Sequence, residues 1–139
     1  YNVLPHYSFK NHPTIDLLIV VGGVHSEEMH KPNVLSWIKS IDKTATHVAS
    51  VCTGAFLLAN AGLLDGLSVT THWEDIPDLR RNFPSLTIVD NKRWVNEGKY
   101  TTSGGISAGI DMSLNLVAQL KSQALADMVS HQMEYRWQK

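Results

Sequence analysis

The feature that most limits the fold is a pair of apolar runs, each ending in small residues and followed by a helix-like stretch. The first, TIDLLIVVGG (14–23), is rich in β-branched residues and leucine, shows no polar alternation and stops at Gly22 and Gly23. A strand that is apolar on both sides must be covered on both faces, which marks a parallel sheet enclosed by helices. PNVLSWIKSID (32–42) reads as the next helix, with Pro32 suited to a first turn and Val34, Ile38 and Ile41 on one side. The second run, HVASV (47–51), ends on Cys52, and TGAFLLANAG (53–62) reads as a helix closed by Gly62. LSVTTH (67–72) is a third candidate strand, and WEDIPDLRRNF (73–83) a short helix interrupted at Pro77. LTIVDN (86–91) and RWVNEGKYTTS (93–103) read as further strands, the latter bent at Glu97 and Gly98. ISAGIDMSLNLVAQLKSQ (106–123) is a long apolar helix, and ALADMVSHQMEYRW (124–137) continues helically. This alternation predicts an α/β fold, an open sheet wound on both faces.

In such a sheet the strand C-termini share one edge, and ligands bind in the crevice there. Four segments are expected to converge at that edge: Gly22 with Gly23; Cys52 with Thr53; Thr71, His72 and Trp73; and Thr102, Ser103, Gly104 and Gly105. Cys52, the only cysteine, sits between a buried strand and a helix start, where amides of the first turn favour a thiolate nucleophile. Cysteine identity alone favours a small buried packing residue. The strand–Cys–x–Gly–helix context favours the nucleophile. The Thr53 N–H and one from the Gly22 and Gly23 turn form a candidate oxyanion or ligand site, with Gly54 allowing close packing behind it. The Thr53 hydroxyl either polarises a substrate or bonds to nearby backbone. His72 is the candidate proton partner or a structural histidine, and Trp73 a pocket wall or a packing residue. Ser103 and Gly104 complete the candidate ligand contacts. Asp111, alone in an apolar helix, reads as structural.

At 139 residues, residues 1–139 form one domain. Twelve Lys and Arg against thirteen Asp and Glu give a net charge of −1 with no basic stripe, so no nucleic-acid binding is expected through this chain alone. One cysteine excludes an intrachain disulfide and a Cys-rich metal site and fits a reducing, cytoplasmic setting. His6, His12, His25, His30, His47 and His131 lack HxxxH or HxH spacing, so no metal or other cofactor is expected. The apolar runs are too short to cross a membrane, and no secretory leader is evident. The chain does not begin with Met, which suggests a fragment, a processed form or part of a longer product.

Taken together, IDLLIVVGG, SVCTGAFLLANAGLLDG, TTHW and TSGGISAGIDMSLNLV resemble the ThiJ/PfpI superfamily, relatives of class I glutamine amidotransferases, over nearly the whole chain. The resemblance implies a flavodoxin-like three-layer sandwich with a mostly parallel sheet, usually a homodimer, with a small molecule as substrate or ligand. It is strongest toward isonitrile hydratases and toward the amidotransferase-like sensor domains of AraC-type regulators. By that resemblance Cys52 matches the nucleophile, Thr53 the threonine beside it in isonitrile hydratases, and Gly23 the oxyanion-side glycine. Three departures shape the expectation. Thr53 replaces the histidine that follows the cysteine in PfpI-type proteases, which speaks against peptidase activity. HQMEY (131–135) does not match the His-x-Glu pair of amidotransferases, which speaks against glutamine hydrolysis. Members also begin with a strand–helix–strand unit carrying an acid that bonds to the cysteine, and this chain starts after it, near PHYSF (5–9). The expected function is a cysteine-dependent hydratase of isonitrile-like molecules. The alternatives are a regulator's sensor domain and glyoxalase or deglycase chemistry.

Overall fold

The computed structural model describes residues 1–139, and the main sheet carries four strands in the order β1-β2-β6-β5. β1 (Leu17–Val20) and β2 (His47–Val51) are parallel, and β2 is parallel to β6 (Tyr100–Ser103). β5 (Trp94–Glu97) joins β6 as an antiparallel hairpin through Gly98, whose φ of +61° makes the turn. The bend expected at Glu97 and Gly98 is therefore a complete chain reversal.

Successive residues of β2 serve opposite layers, as the pleat requires. Leu18 and Val48 enter a core with Ile38 and Ile41 of α1 (Pro32–Asp42) and with Ala55, Phe56, Leu58 and Ala59 of α2 (Gly54–Asn60). Ala49 faces the other way, packing with Met112 and Leu116 of α4 (Ser107–Leu120) and with Leu17, Val51 and Trp94. Helices therefore cover both faces of a mostly parallel sheet, the flavodoxin-like arrangement expected from the sequence. No helix is long and apolar enough to cross a membrane.

Four local expectations are corrected. Only Ser68–Val69 (β3) of residues 67–72 forms a strand, and it pairs not with the main sheet but with Thr87–Ile88 (β4) in a separate two-stranded ladder. The Thr70 amide donates instead to the Thr102 hydroxyl at 2.9 Å, so a side chain takes the place of a backbone rung. Pro77 does not interrupt a helix. It lies in the first turn of α3 (Ile76–Asn82), where its missing N–H costs nothing. Residues 86–91 contribute only the two residues of β4.

The C-terminal helix does not run to residue 137. α4 stops at Leu120, Ser122 caps α5 (Gln123–Gln132) by accepting the Leu125 amide at 3.1 Å, and Glu134 turns the chain with φ +50°. The tail then folds back on α4: the Tyr135 hydroxyl donates to the Ser107 carbonyl at 3.2 Å, and the Gln138 amide to Asp111 at 2.9 Å. Residues 1–16 contain no helix or strand, and β1 forms one edge of the sheet. Phe9 stacks on Trp37 with ring centroids 4.5 Å apart, which fastens the N-terminal segment to α1.

Candidate functional site

Cys52 occupies the junction between β2 and α2 with φ +56°, a conformation that L-residues avoid. The turn is held from three directions. Its amide donates to the carbonyls of Ser103 (3.1 Å) and Gly104 (3.3 Å), which extends the β2–β6 ladder past its last pair. The Thr71 hydroxyl donates to the Cys52 carbonyl at 2.7 Å. Thr53, next in sequence, both accepts the Gly23 amide at 3.0 Å and donates to the Gly23 carbonyl at 2.9 Å.

Small residues let these pieces meet. A Cβ on Gly22 would lie 2.7 Å from the Cys52 Cβ, and one on Gly54 would lie 2.1 Å from the Val20 carbonyl oxygen. Any side chain at either position would push β1 away from the elbow. The strand ends expected to converge do so: Gly22 and Gly23, Cys52 and Thr53, Thr71, and Ser103 and Gly104 form one connected hydrogen-bonded and contacting group.

The geometry assigns roles among the expected residues. The half-buried thiol of Cys52 makes no hydrogen bond; the bonds around it are made by backbone and by threonine hydroxyls. Thr53 is buried, and its amide has no acceptor in the protein and would lie 3.2 Å from a Cβ placed on Gly22. This is a backbone donor, directly after Cys52 in the chain, that the protein leaves without an acceptor. The Thr53 hydroxyl and the Gly23 amide are committed to each other, so the hydroxyl secures the turn and the second donor expected from the Gly22 and Gly23 turn is not Gly23's. Ser103 is fully buried, and its hydroxyl donates to the Gly104 carbonyl at 3.1 Å, so it contributes its carbonyl and not its side chain to the elbow.

His72 is placed beside the elbow but not on the thiol. Its ring packs against Gly105, where a Cβ would come within 2.2 Å, and its Nδ1 faces Asp75 at 3.6 Å and Glu74 at 3.9 Å. Trp73 stands at the rim, 73% exposed. These residues open onto a polar cavity of about 450 Å³ shared with Arg93, Lys92, Gly104 and Ile106. Arg93 was not legible as a site residue. Its guanidinium is held by the fully buried carboxylate of Asp111 and by the Ser107 hydroxyl at 3.1 Å. Asp111 is thus a structural anchor, as its apolar helix suggested, and it also receives the chain's tail through Gln138. Burial and the Asp111 carboxylate raise the pKa of the Tyr135 phenol beside this group. Thr71 was visible only as part of a strand end; its bond to the Cys52 carbonyl spans nineteen positions of sequence, and no local pattern announces it.

Comparison with known proteins fits this geometry. Residues 1–119 match the family model described as the DJ-1/PfpI family. The chain is 38% identical over 132 residues to the isonitrile hydratase of Pseudomonas putida, covering 94% of this chain and 57% of that protein. It is 35% identical over 117 residues to the HTH-type transcriptional regulator CdhR of Pseudomonas aeruginosa, covering 84% of this chain and 34% of the regulator. A crystal structure of a ThiJ/PfpI family protein from Pseudomonas syringae superposes with a TM-score of 0.87 at 27% identity, over 99% of this chain and 57% of that one. The chain thus spans little more than half of the hydratase and a third of the regulator. With its cysteine elbow, its mostly parallel sheet and a family match over most of its length, this chain belongs to the DJ-1/PfpI family.

Proposed function

We propose that the protein is a cysteine-dependent hydratase of isonitrile-like small molecules. One observation carries the reading: Cys52 is held in a costly backbone conformation beside an unpaired, buried Thr53 amide at the C-terminal edge of the sheet. The likeness to the P. putida isonitrile hydratase gives that chemistry its substrate class. In the proposed reaction the Cys52 sulfur bonds to the terminal isonitrile carbon and the thiol proton ends on that carbon, leaving a thioimidate. Water then adds across the C=N bond, its hydroxyl on carbon and its proton on nitrogen. Breaking the C–S bond releases the N-substituted formamide and restores the thiol. The Thr53 amide stabilises the oxyanion character of the hydrated adduct.

The test is formation of N-alkylformamide from an alkyl isonitrile, followed by mass spectrometry. Turnover is expected in the protein and absent in Cys52→Gly, which suits the positive φ and so retains the fold. Turnover of equal rate in that variant contradicts the reading. A second reading, the sensor domain of an AraC-type regulator, is supported by the likeness to CdhR and by a thiol with no hydrogen-bonding side chain beside it. Saturable quenching of the intrinsic tryptophan fluorescence by the isonitrile, lost in Trp73→Phe, with no formamide formed favours the sensor.

A further inference from the structure

Burial alone does not call for a threonine at position 71. The residue is 3% exposed, and valine would fill the same space with no polar atom to satisfy. Its hydroxyl donates one bond, to the Cys52 carbonyl at 2.7 Å, across nineteen positions of sequence. That carbonyl otherwise accepts only the Ala55 amide, at 3.4 Å, so Thr71 makes the shorter of its two bonds. The stretch that carries Thr71 is itself fixed, because the Thr70 amide donates to the Thr102 hydroxyl of β6 at 2.9 Å. Two buried threonine hydroxyls thus tie the elbow to the sheet through a segment that is not a strand of it.

What the Thr71 bond does follows from the peptide group. A peptide is planar and, with no cis bond in this chain, trans, so its C=O and N–H point in opposite directions. The Cys52 carbonyl and the Thr53 amide are the two ends of one such plane. Holding the carbonyl toward Thr71 therefore turns the Thr53 N–H away from it, and any rotation of the plane moves both. The two bonds between the Thr53 hydroxyl and Gly23 hold the side chain and not this plane. The Thr53 amide has no acceptor in the protein, and glycine at position 22 keeps a side chain off it. A hydrogen bond accepted by the carbonyl also polarises the peptide and strengthens its N–H as a donor. We infer that Thr71 is a positioning residue: its hydroxyl fixes the Cys52–Thr53 peptide and so sets the direction and strength of the Thr53 donor on which the hydration relies. The donor's use rests on the hydratase reading, whereas the orientation of the peptide is measurable without turnover.

The experiment compares Thr71→Val, Thr71→Ala and Thr71→Ser in the full chain by two readouts. The first is formation of N-alkylformamide from an alkyl isonitrile. The valine and alanine variants are expected to lower kcat by about tenfold to a hundredfold while KM changes by about twofold at most, the pattern of a donor used in the transition state. The serine variant keeps the hydroxyl and is expected to recover most of kcat. The second readout is the Thr53 amide signal in a proton–nitrogen correlation spectrum. Loss of the bond at the Cys52 carbonyl returns electron density to the Thr53 nitrogen, so its resonance is expected to move upfield in the valine and alanine variants and to stay near its original position in the serine variant. Unchanged kcat in the valine and alanine variants overturns the inference, and so does a loss of kcat that serine fails to recover. A Thr53 resonance unmoved in both variants overturns it independently. If the unsubstituted protein forms no formamide, the hydratase reading fails by itself: a moved resonance then still upholds the hold of Thr71 on the peptide, and an unmoved one overturns both.

Discussion

Behind the sheet, the core over α1 and α2 obeys ordinary packing rules; at the ends of its strands the chain breaks them. Val48, Ala55 and Leu58 have no exposed surface, in helices and strands of ordinary geometry. At the carboxyl edge, by contrast, Cys52 and Ile106 both adopt positive φ at strand-to-helix junctions, and Thr53 and Thr71 direct their hydroxyls to backbone atoms of the turns. Each such conformation costs about 1–3 kcal/mol and persists only where its surroundings fix it. The core supplies the stability and the edge uses it. Rules of local structure fail at this edge, which is where a functional site is expected.

Variants on the two sides of this divide should behave differently. Leu58→Ala leaves a cavity in the core and is expected to destabilise the fold by about 3 kcal/mol in urea denaturation, the largest effect. Because the elbow is untouched, the labelling rate of Cys52 in the folded protein should stay within twofold, on the order of experimental scatter between variants. Thr53→Val removes both bonds to Gly23 and is expected to cost only about 1–2 kcal/mol. Its effect on Cys52 labelling should be the greater of the two, a loss of about tenfold, because the turn beside the sulfur is released. Labelling that follows global stability in both variants, irrespective of position, would dissolve the distinction between core and edge.

The same divide explains what the sequence disclosed. β1, α1, β2 and α2 were legible because apolar runs, Pro32 and closing glycines are local signals, and the cysteine elbow was legible with them. The edge contacts were not. Thr53 reaches Gly23 across thirty positions, Thr70 reaches Thr102 across thirty-two, and Arg93 reaches Asp111 across eighteen. The TTH segment reads as strand because threonine favours strands, yet its amide and hydroxyl serve side-chain and elbow bonds in place of a ladder. The C-terminal stretch reads as one helix because its composition is helical throughout. Ser122 divides it by a local cap on the Leu125 amide, a signal outweighed by the helical composition on either side, whereas the Gln138 bond to Asp111 is a tertiary contact. The direction of the His72 ring, toward Gly105 and Asp75, depended on a packing contact that spacing does not encode.

The most direct test compares iodoacetamide alkylation of Cys52 at neutral pH in the folded protein and in the same protein unfolded in urea. With an unpaired amide beside the sulfur and a turn that presents it at the sheet edge, the folded protein is predicted to react about tenfold faster or more. A thiol that reacts faster once unfolded is a packing residue, and that result would contradict the account.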